Sequence, residues 1–145
     1  MDKQVLELTK IRPFLSLLFA AFLSLGASYN VSAQSNTDFA YLALEPDIVT
    51  NYIGDSSRKL GYVRVTVELM INSVDNLEVA EHHMPLLRST AIEIFGSQPE
   101  EKVKSLTGRE DIRRAILKAL QLHMKQETGG EVIREVIFTK YLYQS

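Results

Sequence analysis

A chain of 145 residues is long enough for one domain and short for two. Hydrophobic residues make up 46% of it and charged residues 23%, with a formal net charge of −2 and no long run of one sign, which excludes the basic surface that nucleic-acid binding needs. The absence of cysteine excludes a disulfide framework, a thiolate metal site, a cysteine nucleophile and a lipid anchor on an N-terminal cysteine.

Lys3, Lys10 and Arg12 outweigh Asp2 and Glu7 at the start of the chain, and Phe14 to Ala27 is then uncharged and almost wholly apolar. The flank Ser28 to Ala33 is polar with small residues, and Val31 and Ala33 fit the −3 and −1 positions of a cleavage between Ala33 and Gln34. This is the plan of a secretory signal peptide over residues 1–33. The alternative is an uncleaved signal anchor, although a spanning helix wants about 20 apolar residues and this core is shorter. Either way the body lies outside the cytoplasm, and membrane association runs through this apolar segment. Residues 34–38 form a polar linker, and residues 39–145 form the domain.

Phe39 to Leu44 reads as a strand stopped by Glu45-Pro46-Asp47. Ile48 to Ile53 reads as a second short strand, and Gly54 to Ser57 as a turn. Tyr62 to Ile71 alternates most clearly, with Val63, Val65, Val67, Leu69 and Ile71 on one face and Arg64, Thr66 and Glu68 on the other. Ser73 offers a helix cap, and Leu77, Ala80, Met84, Leu87, Ala91 and Ile94 make a core-facing stripe that Pro85 should kink or break. Ser97 is expected to cap a short helix with Pro99 just inside it, ending near Lys104. Thr107 is expected to cap a last helix over Gly108 to Lys125, with Ile112, Ala115, Ile116, Ala119 and Leu120 on its apolar arc, ended by Gly129-Gly130. Glu131 to Tyr143 returns to alternation, with Val132, Val136, Phe138 and Leu142 on one face and further large residues on the other. That reads as a central strand or one covered on both faces. Strands, then helices, then a strand predict an α+β fold: a small antiparallel or mixed sheet with helices packed on one face.

Signals of chemistry are sparse. His82 and His83 diverge by about 100° on a helix and cannot converge on one metal, and His123 is remote, so no metal or cofactor is expected. Ser56 and Lys59 have the S-x-x-K spacing at which a lysine can activate a serine, but they sit in the expected turn without a KTG or SDN partner. No nucleophile elbow, phosphate loop or calcium loop is present, so no catalytic residue is assigned and the protein is not expected to be an enzyme. Arg114, Lys118 and Lys125, with Gln121 between them, lie within a narrow arc opposite the apolar stripe of the last helix. They are the candidate partner surface for an acidic protein. A solvated basic face is the plainer reading of the same residues.

Five segments in order carry a resemblance. They are Tyr41 to Asn51 with its Leu-x-Pro turn, Tyr62 to Leu69, His83 to Arg88 with a central Pro-x-x-Arg, Leu106 to Glu110 with Gly-Arg-Glu, and Val136 to Gln144 with Phe-Thr. Together they cover about residues 39–144 and resemble the FliL family of flagellar basal-body-associated proteins. The resemblance implies a stomatin-like (prohibitin-like) domain on the periplasmic side of the inner membrane. It also implies association with the basal body and the motor's stator units, homo-oligomeric rings, and a non-catalytic scaffolding role in motility or swarming. Typical members keep an N-terminal transmembrane helix, which residues 1–33 match only in part. The alternatives are a periplasmic serine hydrolase using Ser56 and Lys59, and a stomatin-like binding module unconnected to flagella.

Overall fold

The computed structural model describes residues 38–54 and 61–144. The segment 1–33, the cleavage pair Ala33 and Gln34, and the Ser56 and Lys59 pair lie outside the described residues. In chain order the elements are β1 (Ala40–Ala43), β2 (Ile48–Asn51), β3 (Tyr62–Ile71), a 3-10 turn (Val74–Asn76), α1 (Leu77–His82), α2 (Met84–Gly96), α3 (Glu100–Lys104), α4 (Leu106–Thr128) and β4 (Ile133–Gln144).

The alternation of β3 places it at the centre of the sheet. Val63, Val65, Val67, Leu69 and Ile71 are sealed from solvent, while Tyr62 and Arg64 on the other face are exposed. β4 pairs antiparallel with β3 along its whole length. On the opposite edge β1 and β2 share β3 between them, from Ala40↔Ile71 to Ala43↔Glu68 and from Ile48↔Val65 to Asn51↔Tyr62. Both run in the same direction, so they act as one edge strand interrupted at Leu44–Asp47, where the Glu45–Pro46 peptide is cis. The Leu44 N–H still donates to the Val67 carbonyl at 2.9 Å, which keeps the ladder in register across the interruption. Among the described residues all the strand pairings are antiparallel, beside one isolated parallel bridge between Ile53 and Pro99. The mixed alternative is not the one adopted.

The helices cover the β3 face that carries the valines. Leu87, Ala91, Phe95, Val103, Ile112, Ile116, Leu120 and Met124 complete one core with Leu44, Ile48 and Ile133. Phe95 packs against Phe138 with ring centroids 5.5 Å apart and against Tyr141 at 6.2 Å, which ties α2 to β4. The helical stripe on α1 and α2 is as expected up to Ala91, after which Phe95 rather than Ile94 takes the buried end. Pro85 breaks the helix as expected. It lies in the first turn of α2, where a missing N–H costs nothing, and His83 separates the two helices.

Three expectations fail for local reasons. Ser97 closes α2 instead of opening α3. The N–H of Glu100 donates instead to the Ile53 carbonyl at 2.9 Å, so an extended segment does the work of a side-chain cap. Ser105, not Thr107, caps α4, its hydroxyl accepting the Gly108 N–H at 3.0 Å, and the helix gains two residues at its start. β4 is an edge strand rather than a central one, and its outer face is open at Lys140 and Leu142. Two register shifts leave Arg134 and Thr139 without β3 partners, so Tyr141 takes the inward place opposite Val65, and Leu142 turns outward opposite Arg64. A bulge in each half of the strand makes both faces look apolar to a strict period of two.

Candidate functional site

The corner between β1 and β2 is fastened from α2. Arg88 donates from Nη1 to the Leu44 carbonyl at 2.6 Å and also to the Pro46 carbonyl, so the guanidinium serves two backbone acceptors that the strand interruption leaves without ladder partners. Asp47 closes the same corner by accepting from Thr66 Oγ1 and Arg64 Nε, each at 2.7 Å. The Thr66 hydroxyl first and then Arg64 hold its carboxyl below the usual carboxylate range. Glu45, Pro46, Asp47 and Arg64 line a shallow surface cleft there. Asp47 and Arg64 are paired with each other, and Glu45 is exposed at its rim.

A second cluster sits where α3 turns into α4. A Cβ at Gly108 would overlap the Lys102 backbone, so only glycine lets the two helices approach this closely. Arg109 lies over the Tyr141 ring at 4.2 Å, and the Tyr141 hydroxyl donates to the Val103 carbonyl at 3.0 Å, with burial pushing that phenol up to about 12. Glu110 accepts from Arg113 Nη2 at 2.7 Å and from Arg114 Nε at 3.0 Å. Its carboxyl is held down to about 2, by the Arg113 hydrogen bond first. Arg113 also reaches Glu135 and the Val136 carbonyl, the latter at 3.2 Å, so it bridges α4 to the edge of β4. The spacing of Glu110 and Arg113 is legible as a helical pair. Glu135, across the sheet, carries no sequence signal that could have joined it to them.

The candidate partner surface on α4 is only partly as the spacing suggests. Arg114, Lys118 and Lys125 are all exposed. Arg114, however, is engaged by Glu110, which leaves Lys118 and Lys125 as the cations of this face without an ion pair among the described residues. Gln121 does not belong with them, because its Nε2 donates to the Ile133 carbonyl at 3.0 Å and covers part of the β4 edge. Leu122, 55% exposed beside the two lysines, was missed by a reading that looked only for charge. Asp111 is exposed on the same face.

Comparison with known proteins gives this geometry a context. The family described as "Flagellar basal body-associated protein FliL" matches residues 41–144. The chain belongs to the FliL family. A curated relative, "Flagellar protein FliL" of Aquifex aeolicus (strain VF5), is 26% identical over 101 residues, 70% of this chain and 59% of the relative. The chain therefore matches about three fifths of that relative's length.

Within this FliL-family domain the segments that carry the resemblance fall together in space. The Leu-x-Pro turn and the Pro-x-x-Arg helix meet through Arg88 on Leu44 and Pro46, and the Gly-Arg-Glu start of α4 meets the terminal strand through Arg109 on Tyr141. These residues fasten the domain. The histidines stay apart from both clusters: His82 and His83 stack edge to face with centroids 5.2 Å apart, and the His83 Nδ1 lies 2.8 Å from the Val79 carbonyl. No described helix is long and apolar enough to cross a membrane.

Proposed function

We propose that the protein is a non-catalytic accessory scaffold of the flagellar basal body, working on the periplasmic side and associating with the stator units to support motility or swarming. The family match across residues 41–144, nearly the whole described body, is the observation that carries this reading. The architecture supports it, because Arg88 and Glu110 of the motifs are engaged in holding the fold, and the outer face of α4 keeps exposed lysines around Leu122. Residues 1–33 deliver the domain, either as a signal peptide cleaved between Ala33 and Gln34 or as an anchor in the inner membrane. The domain takes a stomatin-like form and assembles with further copies of itself.

The test is localisation of a C-terminal fusion to a fluorophore that stays bright in the periplasm. Foci at flagellar bases that disappear in cells without a basal body are the expected result. Diffuse periplasmic or cytoplasmic signal in flagellated cells would overturn the proposal. Intact-mass analysis of the protein from cells separates a mature start at Gln34 from a retained anchor.

A further inference from the structure

Between the first turns of α4 and the middle of β4 lies a cavity of about 430 Å³, lined by Leu106, Arg109, Glu110, Arg113 and the strand from Glu135 to Phe138. The two arginines in it differ. Arg113 is saturated, with Glu110, Glu135 and the Val136 carbonyl around its guanidinium. Arg109 has only the Tyr141 ring, and its Nε is enclosed without a hydrogen-bond acceptor. Three guanidiniums, of Arg109, Arg113 and Arg114, share two carboxylates, of Glu110 and Glu135, and both carboxylates are turned to Arg113 or Arg114. One positive charge is therefore left over, and it sits on Arg109. Arg109 lines the cavity with that charge unpaired, so an anion there would supply the partner that the two glutamates give to Arg113 and Arg114.

The remaining wall is apolar. Leu106 is 78% exposed at the mouth, well above any other large apolar side chain described, and Phe138 is half-buried on the opposite wall. β4 pairs only with β3 among the described residues, and where its outer edge borders the cavity the Val136 carbonyl already accepts from Arg113. A free phosphate would use the cation and ignore the apolar wall. A protein segment with a carboxylate beside an apolar side chain uses both.

We propose that this cavity docks an acidic segment of a partner protein, whose carboxylate pairs with Arg109 while a neighbouring apolar side chain packs between Leu106 and Phe138. This surface is distinct from the lysine face of α4.

The experiment titrates the purified full chain with N-acetyl-leucine, the smallest probe with both features, and with N-acetyl-leucinamide, which keeps the shape and loses the charge. The Arg109 Nε–H resonance reports the site. The carboxylate probe should bind about ten-fold more tightly than the amide, and Arg109→Gln should abolish that preference. Leu106→Ala should weaken the carboxylate probe by about three-fold, since only part of one exposed side chain's burial is lost. Lys140→Gln, which removes one exposed charge on the outer face of the sheet, should change nothing. Equal binding of acid and amide, or an undiminished preference in Arg109→Gln, would overturn the proposal. If Arg109→Gln does not fold, Leu106→Ala decides, because its side chain is largely in solvent: unchanged affinity there rejects the site. The readout uses purified protein, so its failure leaves the flagellar reading untouched, and a motility defect by itself says nothing about the cavity.

Discussion

Arg88 and Lys118 are both cationic residues on helices of the same domain, and they serve opposite ends. The Arg88 guanidinium is turned inward to two backbone carbonyls at the β1–β2 corner, whereas Lys118 stands in solvent with no partner among the described residues. The Gly108 junction sides with Arg88: glycine, Glu110 and Arg113 are committed to joining α3, α4 and β4, and Arg109 lies over the Tyr141 ring with its charge unpaired. The difference teaches that in this fold the recognisable motifs are fasteners. Surfaces free to meet a partner lie beside them, on the outer face of α4 and at Arg109, the one motif residue whose charge stays unpaired among the described residues.

The comparison is broken most severely at Gly108. Gly108→Val places branched carbons against the Lys102 backbone, and because neither backbone can yield cheaply the cost should exceed the about 1–3 kcal/mol of ordinary overpacking. Denaturant melts should show a large fall in midpoint or no folded protein at all. Arg88→Ala comes next. It leaves the Leu44 and Pro46 carbonyls without their donor, and a loss of about 2–3 kcal/mol is expected from the same melts.

Glu110 gives a fastening that can be loosened by pH. Its carboxyl is held at about 2 in the folded protein, against an ordinary value of 4.5, through the Arg113 hydrogen bond first and then Arg114. A carboxylate depressed by folding contributes fully above its unfolded value and loses that contribution as pH falls through the folded one. Melting temperatures of the wild type and Glu110→Gln should therefore differ at neutral pH and converge between pH 4.5 and 2. A constant gap would mean that the ion pairs contribute nothing. The smallest effect on stability belongs to the outer face. The double change Lys118→Glu and Lys125→Glu, at two exposed positions, should move stability by only about 0.5 kcal/mol.

Much of the fold was legible because strict periodicity and one buried face leave little choice. β3 occupies the residues its alternation marks, and the break at Pro85 follows from a missing donor. β4 was legible as a strand but not in its facing, because bulges at Arg134 and Thr139 reset which residues point inward, and a bulge is a property of the pairing rather than of one segment. The cap at Ser105 was missed because Ser105 and Thr107 both offer a hydroxyl at a helix start, and only the approach of α3 to Gly108 decides between them. The exposed lysines were found from their spacing. The engagement of Arg114 by Glu110 was a nearby helical pair that could have been read, whereas Glu135 beside Arg113 and the open Arg109 depend on contacts across the sheet.

The most direct measurement is complementation of motility in a strain lacking this protein, using the wild type and the Lys118→Glu, Lys125→Glu double variant at matched abundance. The account predicts that the deletion impairs swimming or swarming, that the wild type restores it, and that the folded double variant does not, because reversing two exposed charges removes electrostatic attraction to an acidic partner. Undiminished motility in the deletion strain would contradict the flagellar role. Full rescue by the double variant would contradict the assignment of that role to the outer face of α4.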